Sequence, residues 1–335
     1  MKNVCILIMV MLSLSAFSLP PISGRPTERW FSEDTRTNPL YRWVQAANDA
    51  IEVGQQVGTG DVYYVDSNVT TEGNGNSWDT AKNTIDEAIE LCTANNGDVI
   101  LVAQGHAETW ASAAGSATLD VAGVTIVGCG SGDLKPNITM THVDATMTVS
   151  GANCGIQNIR FTANLDNVKV LLTLAATCDG TIVEGCEFRD SAANKDYLVG
   201  ISVAAAADST SLIGNDFLTT AAAGGNNAIL LVGADTGLVI QGNRAFGKFA
   251  SGCILGSAGK HTSLFLADNV LVNAEAAVAA ALKTDSTGIA ARNFFGGTTS
   301  MAAAWTGSDA LWCFQNFTTG AVNASSVIDP GVDVD

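Results

Sequence analysis

Seven segments of this chain end alike, and the spacing between them is what most limits its fold. CGIQNIRF ends at Phe161, TIVEGCEF at Phe188, TSLIGNDF at Phe217, VIQGNRAF at Phe246, LFLADNVL at Leu271, IAARNFF at Phe295 and LWCFQNF at Phe317. Their last residues differ in number by 27, 29, 29, 25, 24 and 22. Steps of this size, sustained through half a chain, mark a solenoid whose units stack on one another. Each segment is a short apolar run closing on a large residue, in most cases just after a Gly or Asn, which is a strand running into a tight turn. A second set of apolar runs lies between them, at 170–176, 197–206, 228–232, 253–256, 276–282 and 301–305. Each unit therefore holds at least two short strands and has no room for a helix. Strands so short pair with their counterparts in the next unit, which makes parallel sheets. The spacing predicts an all-β, single-stranded parallel β-helix of about seven to nine coils, from near Thr118 to near Ala321.

Stacking places equivalent residues of neighbouring coils ~4.8 Å apart. Phe161, Phe188, Phe217 and Phe246 are expected to point inward as an aromatic stack. Asn215, Asn243, Asn269 and Asn293 recur in step, as an inward amide ladder would require. The residue before each Phe points outward, because strand side chains alternate. That puts Arg160, Glu187 and Asp216 in one outer column, with Arg189 and Asp190 beside it. Glu187, Asp216 and Asp190 are the candidate catalytic residues, since paired carboxylates ~5 Å apart also serve retaining glycosidases. Any two adjacent coils supply that separation, so an Arg160–Glu187 ion-pair ladder is the simpler reading. Arg160, Trp305 and Trp312 are the candidate glycan contacts, and end-of-solenoid packing is the other use for the two tryptophans.

The chain of 335 residues has a formal charge of −17, a sequence pI of about 4.3, and only 15% charged residues against 47% apolar. Such a surface repels phosphate backbones and anionic lipids, which excludes nucleic acid and membranes as partners. An anionic polysaccharide is disfavoured too, unless a cation bridges it. His106, His142 and His261 fit no metal spacing. His106 with Glu108 reads as a turn hydrogen bond. The loop carrying Asp66, Glu72 and Asp79 holds metal candidates but lacks the regular ligand spacing of a calcium loop, so no cofactor is expected, calcium being the one the chain could take. Seven cysteines beyond Cys5 show no metal or disulfide spacing and read as small buried hydrophobes. Asn68, Asn137, Asn316 and Asn323 stand in glycosylation sequons.

Residues 1–18 read as a secretory signal peptide: Lys2, an apolar run, then Ala16-Phe17-Ser18 before Pro20-Pro21. Residues 19–60 form an extension with an amphipathic helix that starts at Asn38-Pro39, carries Leu40, Trp43, Val44, Ala47 and Ile51, and stops at Gly54. Its apolar face suits packing on the domain end or docking to a partner. The β-helix occupies 61–325 and a tail 326–335. At its start, a strand in 61–66 precedes a helix with Ile85, Ala88, Ile89 and Cys92 on one face, which Asp79 or Thr80 could cap. A second strand in 98–103 follows.

GDVYYVDSN, SWDTAKNTIDEAIELC and NNGDVILVAQGHAET resemble the N-terminal entry of pectate-lyase-like right-handed β-helix proteins. The entry also looks like β-helix proteins of tailed phages and environmental sequences. The resemblance runs from about Gly60 to Phe317 and implies a right-handed solenoid with an N-terminal capping helix. It implies little about chemistry, because that superfamily spans lyases, hydrolases, adhesins and structural proteins. A lyase of this kind needs an acid cluster holding calcium beside a basic residue, and no such cluster recurs on one face. The expected function is that of a secreted or virion-surface protein with a structural, adhesive or glycan-binding role toward a polysaccharide, a cell or a particle surface. Self-association is compatible with it. The alternative is a polysaccharide lyase or glycoside hydrolase.

Overall fold

A computed structural model describes residues 60–113, 116–219, 225–275, 278–297, 305–306, 311–318 and 327–328. The signal peptide and the amphipathic helix expected before Gly60 lie outside the described residues. The rest forms one parallel β-helix with three sheets. Sheet 1 runs from Val62–Val65 and Val99–Val102 through Ile182–Glu184 and Ser211–Ile213 to Gly288–Ala291 and Leu311–Phe314. Sheet 2 runs from Ala107–Trp110 through Arg160–Ala163, Glu187–Asp190, Asp216–Leu218 and Arg244–Gly247 to Asn316–Thr318. Sheet 3 runs from Thr118–Leu119 through Val168–Leu174 and Tyr197–Val203 to Trp305–Thr306. Its eight strands, one per coil, agree with the coil number expected from the spacing. Each coil thus has three strands, one more than the apolar runs alone resolve. The first three-stranded coil begins at Val99, and Thr118–Leu119 is its third strand.

A residue with positive φ turns each of seven successive coils from sheet 1 into sheet 2. It is Asn158, Gly185, Gly214, Gly242, Asp268, Arg292 and Gln315 in succession, with φ between 53° and 66°. Gly, Asn and Asp visit this region at low strain, whereas Arg292 and Gln315 are held there by the stacked coils. The residue after the turn points inward. It is an Asn in five successive coils, Asn215, Asn243, Asn269, Asn293 and Asn316, four of which the sequence identified.

The inner column of sheet 2 is Ile138, Phe161, Phe188, Phe217, Ala245, Leu271 and Phe295. Phe161, Phe188 and Phe217 stack with centroids 5.3 and 4.8 Å apart. Phe246 is not in this column. Ala245 pairs with Phe217, and Phe246 pairs with Leu218 on the outer face. The Asn215-to-Asn243 step is 28 residues, one less than the Phe217-to-Phe246 step, and the buried amide sets the register. Phe317 is likewise outward and 51% exposed.

At the N-terminal end, helix α1 (Ile85–Ile89) plugs the coil with Ile85, Ala88 and Ile89 buried. Its cap is Thr84, in a capping box with Glu87, and not Asp79 or Thr80. The GHAETW stretch locks this plug. The buried Glu108 carboxylate accepts from Ile85 N at 3.2 Å and Trp110 Nε1 at 3.0 Å, and lies 3.2 Å from His106 Nε2. His106 Nδ1 accepts from Ser67 N at 3.0 Å, so Nε2 is the atom that donates to Glu108. The expected turn hydrogen bond is therefore a buried cluster that ties the first loop to the plug.

Candidate functional site

The outer face of sheet 2 carries the candidate site. Strand alternation turns Glu187 and Arg189 outward while Phe188 enters the core, and the next coils add Asp216 with Leu218, then Arg244 with Phe246. These six residues line an open cleft of about 260 Å³, floored by the backs of Phe188 and Phe217. The register Arg160–Glu187–Asp216–Arg244 puts the four charged residues in one column, one coil apart.

Glu187 is the hub of the column. Its carboxylate meets Arg160 Nε at 2.8 Å, Arg189 Nη2 at 2.6 Å and Lys135 Nζ at 3.2 Å. Lys135 also donates to Gly185 O at 2.8 Å, and Arg160 to Gly132 O at 2.6 Å. These cations cover Glu187, whose side chain is only 17% exposed. The sequence reading placed it in solvent, because it counted the strand face and not the long side chains folding over it. Burial alone would raise the Glu187 carboxyl. Hydrogen bonds from Arg160 and Lys135 and the charges of Lys135 and Arg189 outweigh burial and hold it below the usual range. A carboxylate held ionised accepts and positions; it does not act as a general acid near neutral pH.

Asp216 is half-exposed and loosely paired with Arg244 at 3.6 Å. The Arg244 guanidinium sits over the Phe246 ring, 5.3 Å from its centroid. Arg189 Nε is buried without a hydrogen-bond partner. Asp190 does not join the cleft. Alternation turns it away from Glu187 and Arg189, toward the corner with sheet 3, where it accepts from Thr219 Oγ1 at 2.7 Å.

Of the candidate glycan contacts, Arg160 borders the cleft. Trp312 is 79% exposed on the outer face of sheet 1, six coils beyond Arg160, and Trp305 belongs to a strand of sheet 3. These three do not form one surface. Asp66, Glu72 and Asp79 do not converge either: Asp66 caps Asn68, and Glu72 pairs with Lys82. Among the described residues no three His, Cys, Asp or Glu side chains are grouped as a metal would need. Lys135, Leu218, Arg244 and Phe246 were not legible as one site. The Asn column held the missing signal, because it aligns Asn243-Arg244 with Asn215-Asp216.

A second carboxyl pair lies at the corner between sheets 2 and 3. Asp196 is 2% exposed, and burial raises its carboxyl, with the neighbouring Asp166 side chain adding to the rise against a hydrogen bond from Asn167 N. The seven cysteines among the described residues are free, and burial pushes the Cys186 and Cys92 thiols up to about 12.

No family model matches this chain. No curated protein matches it. Among solved structures it is similar to a rhamnogalacturonan lyase, at 13% identity and a TM-score of 0.46, over 71% of this chain and 70% of that one.

Proposed function

We propose that this chain is a non-catalytic, glycan-binding β-helix that holds carboxylated sugars in the sheet 2 cleft. The observation that carries the reading is a local reversal of charge. Eleven Lys and Arg stand against 24 Asp and Glu in the described residues. Around the cleft, however, four cations (Lys135, Arg160, Arg189 and Arg244) face two carboxylates, Glu187 and Asp216. The general repulsion of polyanions expected from composition is thus reversed at this one place. A sugar carboxylate can bridge Arg189 and Arg244, while Phe246 and Leu218 offer an apolar wall to the ring. The cleft admits one sugar ring, and the rest of a chain would lie along the open sheet.

The cleft favours binding over acid–base chemistry. Its best-held carboxylate is ionised and committed to three cations, and hydrolysis needs a second carboxyl kept protonated. Secretion or display on a particle surface belongs to the same reading and is supported by the leader-like residues 1–18. The test is calorimetric titration with oligogalacturonates and with neutral oligosaccharides of equal length, followed by assays for unsaturated uronate and new reducing ends. Binding of the acidic oligomers alone, weakened about tenfold in Arg244→Ala as loss of one charge-assisted contact would do, and no turnover, is the expected result. Turnover abolished by Glu187→Gln or Asp216→Asn would make the chain a lyase or hydrolase instead. Equal affinity for neutral and acidic oligomers would remove the charge argument.

A further inference from the structure

We propose that the sheet 2 face takes an amphiphile, an acidic sugar bearing an alkyl or acyl chain, with that chain laid over the coils beyond Arg244. The inference rests on the reading of the cleft as a site for acidic sugars and adds what lies on either side of it. The outward residues of sheet 2 change in character along the solenoid axis. Before the cleft, one outward column holds Thr109, Thr139 and Thr162 in register. Asn137 joins this row, accepting from Thr162 Oγ1 at 2.6 Å and donating to Thr139 Oγ1 at 3.1 Å. The charged residues of the cleft follow. Beyond them, Leu218, Phe246 and Val272 share one column, while Val270 and Phe294 continue the column of Arg244. The strands Val270–Asn273 and Phe294–Gly297 carry no charged residue.

Hydroxyls, charge and hydrocarbon thus come in order on one face, which fits a molecule with the same three parts in the same order. Strand alternation keeps Val270 and Val272 half-buried on the outside while Leu271 enters the core. Leu218 is 41% exposed beside the cleft, so the apolar strip starts where a bound carboxylate ends. A wholly neutral ligand would leave the cations of the cleft unanswered. A uniform polyuronate would set carboxylates over Val270 and Phe294, where neither strand offers a cation to pair with them. From Leu218 to Phe294 is three coils, ~14 Å, the reach of an alkyl chain of roughly ten carbons at ordinary bond lengths. Apolar surface covered there adds affinity that does not depend on the cations. The formal charge of −17 disfavours docking on an anionic bilayer, so the ligand is taken as a single molecule.

The experiment titrates methyl glucuronide, octyl glucuronide and octyl glucoside into the full chain, each below its micelle concentration, by ligand-observed NMR. Octyl glucuronide is expected to bind about tenfold or more tighter than methyl glucuronide, as apolar surface is covered. It should also bind about tenfold tighter than octyl glucoside, which lacks the carboxylate. The double variant Val270→Asn, Val272→Asn and the single variant Phe294→Gln should each cut the octyl gain by about threefold or more and leave methyl glucuronide affinity unchanged. Circular dichroism reports folding, and if the double variant does not fold, Phe294→Gln alone decides. Equal affinity for methyl and octyl glucuronide overturns the inference and leaves the cleft reading intact. Equal affinity for octyl glucuronide and octyl glucoside overturns the cleft reading, and the inference with it. An octyl gain that survives in every folded variant overturns the inference alone, since the chain then lies elsewhere.

Discussion

Asn243 shows how one residue fixes a coil. Its Oδ1 accepts from Asn215 N at 2.9 Å and Asn215 Nδ2 at 3.1 Å, and its Nδ2 donates to Leu212 O at 2.8 Å and Asn269 Oδ1 at 3.0 Å. Asn243→Ala strands the buried Asn215 N–H and Leu212 carbonyl, and should cost roughly 3 kcal/mol in urea unfolding. Asn243→Asp keeps the acceptor but loses the donor, so it should be worst at neutral pH and recover on acidification, when the carboxyl regains a proton to donate. A flat pH response of that variant would refute the ladder's donor role. Asp196 behaves in the opposite sense to most carboxylates. Its folded-state pKa is raised, so its contribution is present below the ordinary 3.8 and lost as pH rises. Asp196→Asn is therefore expected to stabilise the protein at pH 7, with the gain shrinking as pH falls through the range where Asp196 takes up a proton. The Asn column and the Arg160–Glu187 ladder were readable because residue type and spacing state them directly. The Asp166–Asp196 pair was not, since it joins neighbouring coils at a corner the Phe spacing does not register.

Among elements, the sheet 2 strands carry both the core and the cleft. Phe188 is fully buried between Phe161 and Phe217. Phe188→Ala should cost about 3–5 kcal/mol by the loss of buried area and the cavity it opens. It should also impair the cleft, because Glu187 and Arg189 flank it on the same strand. Phe295→Ala, with the same change two coils past the cleft, should lower thermal stability while leaving oligogalacturonate affinity unaltered. Equal loss of binding in both would mean the cleft is not where the ligand sits. The strand pattern gave away which faces are inner and outer. It misplaced Phe246 because a one-residue difference in coil length turns a side chain from core to surface.

For the whole molecule, acid sensitivity follows from the lowered carboxyls. Glu187 is held below its ordinary 4.5, and the Arg292 hydrogen bonds hold Asp268 below its ordinary 3.8. Groups depressed in the folded state contribute stability above those ordinary values and lose it as pH falls through their folded pKa values. The melting temperature should therefore hold steady from pH 7 to about pH 5 and fall progressively below about pH 4.5. In Glu187→Gln the loss at pH 7, roughly 2–3 kcal/mol, comes from leaving Lys135 and Arg160 without their counter-charge. That variant should show a shallower acid limb in scanning calorimetry. An unchanged limb would show that Glu187 is not held ionised in the folded protein.

The sequence by itself determined the solenoid, three of the four aromatic rungs expected of it, its Asn ladder and the outward charge column, because each depends only on residue type and period. Tertiary structure alone decided what surrounds that column. Lys135 reaches Glu187 from 52 residues away in the chain, and Arg244 and Phe246 arrive from the next coil but one. Their meeting depends on coil lengths that vary between turns. The net charge of the chain pointed away from acidic ligands, while the fold gathers four long cationic side chains onto one face. Charge composition is a sum over the surface, and binding is decided by the few groups within a Debye length of the ligand.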